Sequence, residues 1–170
     1  MQINKLELKN ISYYARGSEE TPCYNATVYV NGKKTIEVGN DGHGGCDRQY
    51  GIGDFNYKTV DEVNKWCIKT FGQRSFNYNS NDGQETCSYD IDLETFCHDE
   101  LYKWLDKKDL KKSLNKKYLF VEDKKIYAYP RKHKNQDLHF KTFMEEQHPS
   151  AKCLNFISFD DALDLYRENV

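Results

Sequence analysis

The sequence predicts an α+β fold: a single domain over 1–170, with a largely antiparallel sheet built from two hairpins and extra strands, packed with about four helices. Three observations carry that expectation. Two pairs of strand-like segments are each joined by a short turn, the helical segments do not alternate with strands as a parallel sheet requires, and no repeat or linker breaks the chain.

Lys5-Leu-Glu-Leu-Lys9 alternates apolar and charged residues, as a half-buried strand does. Cys23–Val30 and Lys33–Val38 flank Asn31-Gly32 and read as a β-hairpin. A two-residue loop pairs Val30 with Lys33 and turns Ile36 and Val38 away from Ala26, Val28 and Val30. An odd-length turn or a G1 bulge is therefore expected, to restore one apolar face. Irregular chain is expected from Asn40 past Gly51 and Gly53. Thr59-Val-Asp-Glu62 reads as a capping box for a helix over 60–71, with Val60, Val63, Trp66, Cys67 and Phe71 on one stripe and Gly72 after its end. Gly72 to Tyr89, containing Asn81-Asp82-Gly83, reads as a long loop or ragged hairpin.

Asp92 is placed to cap a second helix carrying Leu93, Phe96, Cys97, Leu101, Trp104 and Leu105, with a further short turn starting at Asp109. Tyr118–Val121 and Ile126–Tyr129 form strands around an Asp123-Lys124 turn. Pairing Val121 with Ile126 leaves both faces apolar, so both should be covered. Asn135 caps a predicted helix over about 136–147 that ends at Pro149. Cys153–Ile157 is the last strand, and Ser158 caps a helix reaching Asn169.

A mean hydropathy of −0.92 and the lack of any long apolar run argue against a membrane protein, and the opening residues show no signal peptide, so the cytoplasm is the expected compartment. The six cysteines are then expected to be reduced, several serving as small core residues. The net charge of −2 hides an asymmetry. Residues 101–134 hold 12 Lys or Arg against four acids, a local +8, while the rest of the chain sums to −10.

Chemistry is concentrated in Asn40-Asp41-Gly42-His43-Gly44-Gly45-Cys46-Asp47-Arg48. Glycines allow positive φ and close approach of a ligand, successive amides can cup an anion, and His43 and Cys46, with Asp41, supply a base and a nucleophile. The plainer reading is a glycine turn leaving a strand, with His43 bonded to hold it. On the ligand-binding reading the site is Asn40, Asp41, Gly42, His43, Gly44, Gly45 and Arg48. A basic patch of Lys107, Lys108, Lys111, Lys112, Lys116 and Lys117 suits phosphate contacts, but equally the solvated face of a helix. Tyr13, Tyr14, Tyr50, Phe55, Tyr57, Phe76 and Tyr78 lie in or near segments read as irregular, where they either form a protein interface or anchor loops on the core. No metal and no cofactor is expected. No C-x-x-C or H-x-x-x-H pair occurs, and no helix organises Asp41, His43 and Asp47 into a ligand set.

Ser18-Glu-Glu-Thr-Pro-Cys23, Ala26, Val28-Tyr-Val-Asn-Gly32 and Asn40-Asp-Gly-His-Gly-Gly45, with Leu154-Asn155, Phe159-Asp-Asp-Ala-Leu163 and Tyr166, resemble a family of uncharacterised small proteins of phages and other bacterial mobile elements. The resemblance covers roughly the first 45 residues and the last 17. It implies an accessory role in the host cytoplasm, such as interference with a defence system or modulation of a host enzyme, and it implies no catalytic residue. The expected function is a non-catalytic protein that binds, and inhibits, a host protein or complex. The alternatives are a small enzyme or nucleotide-binding protein using Asp41, His43 and Cys46, and nucleic-acid binding through residues 101–134.

Overall fold

Asn31 and Gly32 both adopt positive φ, 50° and 81°, and make the two-residue turn whose twist suits a hairpin. The computed structural model describes residues 1–80, 83–131 and 136–170. β1 (Leu6–Tyr13), β2 (Tyr24–Val30), β3 (Lys33–Asn40) and β4 (Arg48–Gly51) form an antiparallel sheet in chain order. The Asn31 side chain ties the chain before β1 to this turn. Its Oδ1 accepts from the amides of Asn4 (2.9 Å) and Lys5 (3.1 Å), and its Nδ2 donates to the Gln2 carbonyl (2.8 Å).

Register is restored away from the turn. Val30 pairs with Lys33, so the loop has two residues, and the expectation of an odd-length turn or G1 bulge is corrected. The shift lies between Val28 and Tyr29, which pair with Ile36 and Lys34 and leave Thr35 as the extra residue of a β-bulge. Beyond it, Val28 faces Ile36 and Ala26 faces Val38, and all four are buried. Thr35 is itself buried, with its hydroxyl on the Lys33 carbonyl at 2.8 Å.

α1 (Tyr57–Phe71) starts three residues before the expected helix. Its capping box is formed by Asn56 and Thr59, not by Thr59 and Glu62: Asn56 Oδ1 accepts from the Lys58 amide at 2.9 Å, and Thr59 Oγ1 from the Asn56 amide. An earlier cap serves because Asn56 already stands in extended conformation with its side chain turned to the first amides. Val63 and Cys67 are the buried pair on its stripe, and burial pushes the Cys67 thiol up to about 12. Gly72, at φ 73°, stops the helix.

The segment read as a long loop or ragged hairpin is a hairpin, and a fully paired one: β5 (Gln73–Ser80) and β6 (Gly83–Asp90), in register from Gln73↔Asp90 to Ser80↔Gly83. Its polar composition hid it, since neither strand alternates core and solvent faces. The residues of the turn read at Asn81-Asp82 lie outside the described residues. α2 (Leu93–Leu114) begins where expected, with the Thr95 amide on Asp92 Oδ1 at 2.8 Å, but runs unbroken past Asp109, because Leu110 continues the buried face.

The chain divides into two compact units, Met1–Leu101 and Tyr102–Val170. Leu93, Cys97 and Leu101, spaced by one helical turn, are fully buried in the first. The second is organised around β7 (Lys117–Glu122), between β8 (Lys125–Pro130) and the short β9 (Lys152–Cys153). Val121 pairs with Ile126 across Asp123 and Lys124, as expected. Both faces of β7 are covered, while β8 keeps Tyr127, Ala128 and Tyr129 exposed, so the expected cover on both sides holds for β7 alone. Leu119 packs with Leu110, Leu154 and Ala162, and Tyr118 and Phe120 pack with Phe140, Met144 and Cys153. α3 (Asp137–Gln147) supplies Phe140 and Met144, while the residue expected to cap it, Asn135, lies outside the described residues. The expected strand over 153–157 is only its first residue paired, followed by a 3-10 turn over Leu154–Phe156. α4 (Phe159–Asn169) is capped by Ser158, whose Oγ accepts from the Asp161 amide at 3.2 Å. Across the described residues the class is α+β with antiparallel sheets, and no described helix is long and apolar enough to cross a membrane.

Asn155 is what turns the chain out of β9. Its Oδ1 accepts from the Leu119 amide (2.8 Å), and its Nδ2 donates to the carbonyls of Leu114 (3.1 Å) and Lys117 (3.0 Å), joining the end of α2 to the start of β7. At about 1 kcal/mol for each net hydrogen bond, Asn155→Ala is expected to destabilise the second unit by about 1–3 kcal/mol in urea unfolding. Asn155→Asp, which keeps the acceptor and loses the donors, should be destabilised as well.

Candidate functional site

The glycine loop is organised by a side chain from the end of β3. Asn40 is buried and meets four partners: its Oδ1 accepts from Thr21 Oγ1 (2.6 Å) and the Gly42 amide (2.9 Å), and its Nδ2 donates to the Gly45 carbonyl (3.1 Å) and to Asp47 Oδ1 (3.2 Å). The Gly42 carbonyl accepts the amides of Glu19, Glu20 and Thr21 at 2.9–3.3 Å, which clamps the loop to the segment between β1 and β2. The amides of Gly42, His43 and Gly44 already donate to the Asn40, Asp41 and Thr21 side chains, the His43 bond lying on the exposed side of the loop.

Of the residues singled out in this loop, Asp41, His43, Cys46 and Arg48 are exposed. His43 Nδ1 stands 3.3 Å from Glu19 Oε2, so its partner is a carboxylate of the neighbouring segment and not Cys46. Arg48 starts β4 beside Tyr50 and Glu37 on the outer face of the sheet.

A set that the sequence reading missed lies at the end of the loop. Asp47, its side chain fully buried, takes the Tyr24 hydroxyl on Oδ2, and Asn40 Nδ2 and His98 Nε2 (both 3.2 Å) on Oδ1. Its backbone amide donates to Glu94 Oε1 at 3.2 Å. Glu94 and His98 are four apart on α2 and share one face. That spacing was the available signal, but nothing local pointed to Asp47 as the third member. Burial alone raises the Asp47 carboxyl, and the bonds from His98, Tyr24 and Asn40 outweigh it and hold the group below its ordinary value. The Asp47 carboxylate raises the His98 imidazole against an opposing effect of burial. Burial, foremost, raises Glu94. It also pushes the Tyr24 hydroxyl far up, so Tyr24 remains a donor.

Elsewhere, all six lysines of the basic patch are exposed, and Lys108 stands over the Trp104 ring at 4.8 Å and Lys107 over Phe159 at 5.9 Å. This is the solvated face of α2 and its continuation into β7. A cavity of about 250 Å³ opens between β8 and α3, lined by Tyr118, Tyr129, Gln136, His139, Phe140 and Phe143, below the usual volume of a ligand site. All six cysteines are free thiols, with Cys67, Cys97 and Cys153 buried and Cys46 and Cys87 exposed.

The ribbon of β5 and β6 is two-faced. Register places Arg74, Phe76, Tyr78, Glu85, Cys87 and Tyr89 on one side, and Ser75, Asn77, Thr86 and Ser88 on the other. Phe76, Tyr78 and Tyr89 are 50%, 42% and 37% exposed, a level at which rings that anchored a loop on a core would not remain. Arg74 fixes the base of the ribbon through two bonds to Asp99 of α2, at 2.6 and 3.1 Å.

With this geometry described, comparison with known proteins adds no relative: no protein family, no curated protein and no solved structure matches the chain.

The loop yields two expected outcomes. A Cβ on Gly42, at φ 93°, would stand 1.8 Å from the Gly17 carbonyl oxygen, whereas one on Gly45, at φ 82°, meets nothing within 4 Å. Gly45→Ala is expected to cost about 1–2 kcal/mol for its positive φ, and Gly42→Ala clearly more, both read by urea unfolding. The Asp47–His98 pair makes stability depend on pH. The Asp47 contribution is present above its ordinary value of 3.8 and is lost as pH falls through its lowered folded value. The His98 contribution is complete below 6.5 and is lost as pH rises through its raised folded value. Thermal melts across pH should show that alkaline loss in the wild type and a flatter profile in His98→Gln.

Proposed function

We propose that this chain is a non-catalytic accessory protein of a phage or other mobile element that binds a host protein through the aromatic face of the β5–β6 ribbon, with a defence complex as the target class. The observation that carries this reading is the ribbon itself, which presents three exposed rings on one face and hydroxyls and amides on the other. Rings in such a place supply rigid contact area at little cost in side-chain entropy, as in the centres of protein interfaces. The matching partner surface is apolar. The resemblance to phage accessory proteins supplies the host and the inhibitory role, and the bonding of the Gly42, His43 and Gly44 amides to side chains of the protein weighs against the enzyme or nucleotide-binding alternative. Exposed lysines beside an otherwise acidic chain leave nucleic acid as the lesser alternative.

Wild-type protein and Phe76→Ser/Tyr78→Ser should be compared as baits in bacterial host lysate, with circular dichroism to show that both fold. The reading expects a stoichiometric partner with the wild type that is lost with the ribbon variant and kept by Lys111→Ser/Lys112→Ser. Identical captures by wild type and ribbon variant would overturn it, as would a complex that dissolves only with the lysine variant and rising salt.

A further inference from the structure

We propose that Asp47, Glu94 and His98 form a binding site for a first-row divalent cation of borderline softness, with Zn²⁺ the best match. One ligand atom from each residue, two carboxylate oxygens and an imidazole nitrogen, already lie within 4.8 Å of one another. Ligands held at roughly 2.0–2.2 Å from a tetrahedral zinc stand about 3.4 Å apart, so side-chain shifts of about an ångström close the site. Asp47 Oδ1 and His98 Nε2 are already 3.2 Å apart.

The arrangement follows a ligand logic in three respects. Glu94 and His98 come from successive turns of one helix and hold a fixed spacing, while the third ligand arrives from a distant loop. The Asp47 carboxylate is oriented from behind by the Tyr24 hydroxyl and the Asn40 amide, the kind of outer support that ligating carboxylates receive. The charge is also unbalanced. Two carboxylates face one imidazole, which leaves a net negative site even with His98 protonated, and a dication with neutral imidazole cancels it. A nitrogen and two oxygens favour Zn²⁺ or Mn²⁺ over Ca²⁺ or Mg²⁺, which take oxygen sets. Asp47 is buried while Glu94 and His98 are partly exposed, so a cation can enter from the helix side. The set is distinct from the ribbon and does not depend on what the ribbon binds.

The full chain, stripped with EDTA and desalted, is titrated with ZnCl₂ by calorimetry, with MgCl₂ in parallel. One equivalent of Zn²⁺ is expected, with binding weakened at least about 10-fold in Glu94→Gln and in His98→Ala, and unchanged in His43→Ala and Cys46→Ser, which remove exposed donors nearby. To avoid reliance on variants that fold poorly, the His98 imidazole resonances of the wild type are followed by NMR during the same titration and should shift with saturation at one equivalent. Absence of stoichiometric Zn²⁺ binding, binding lost only in His43→Ala or Cys46→Ser, or an unmoved His98 resonance would each overturn the site and leave the three side chains as a hydrogen-bonded brace.

Discussion

One extra residue in β3 sets the geometry of the first unit. A strand places alternate side chains on opposite faces, so a hairpin with a two-residue turn would direct Ile36, Val38 and Asn40 to the side away from Val28. The bulge at Thr35 reverses that parity. It brings Ile36 and Val38 into the core and, two residues further, turns Asn40 inward opposite Tyr24. Asn40 then holds the glycine loop, and Asn40 and Tyr24 together hold Asp47. Displacing the bulge would therefore affect the loop and the Asp47 cluster together.

The loop is best understood as a support. Its positive-φ glycines let the chain reverse tightly, and its amides are spent on Asn40, Asp41 and Thr21. What the loop delivers is the residue at its end. A carboxylate with no exposed surface is tolerable only when its oxygens are bonded, and Asp47 meets a phenol, an amide and an imidazole. Charge and hydrogen bonding thus gather at Asp47, Glu94 and His98, on the inner side of the loop, while His43 and Cys46 remain exposed on its outer side, with His43 beside Glu19.

The surface divides its roles differently. The +8 of residues 101–134 is shared between exposed lysines of α2 and those of the β7–β8 hairpin, and two helical lysines lie over aromatic rings of the same unit, where their stems cover apolar surface while their charges stay in water. The ribbon carries little charge and concentrates rings. In the second unit Asn155 does for β7 what Asn31 does for β1, since one side-chain amide satisfies several backbone groups where the chain leaves regular structure. Side-chain amides are the recurring joints of this protein.

Wherever one face is apolar and the period is clean, the amino-acid sequence alone determined the element: both hairpins, the cores of α1 and α2, the Asp92 and Ser158 caps, the Val121–Ile126 register and the burial of both faces of β7. These features rest on interactions between near neighbours or on simple alternation. The ribbon was legible only as a loop or ragged hairpin, because its rings alternate with Ser and Asn but neither face is buried against a core, so the alternation does not mark an inside. The cap of α1 shifted because Asn56 caps the Lys58 amide one turn earlier and takes Thr59 as the reciprocal partner of its box. The candidate site was half legible, with Glu94 and His98 spaced for one helix face and Asp41 and His43 conspicuous among glycines. Only the tertiary structure chose between them, because Asp47 meets Glu94 of α2 from 47 positions away in the chain, and a contact of that span leaves no periodic trace in the sequence.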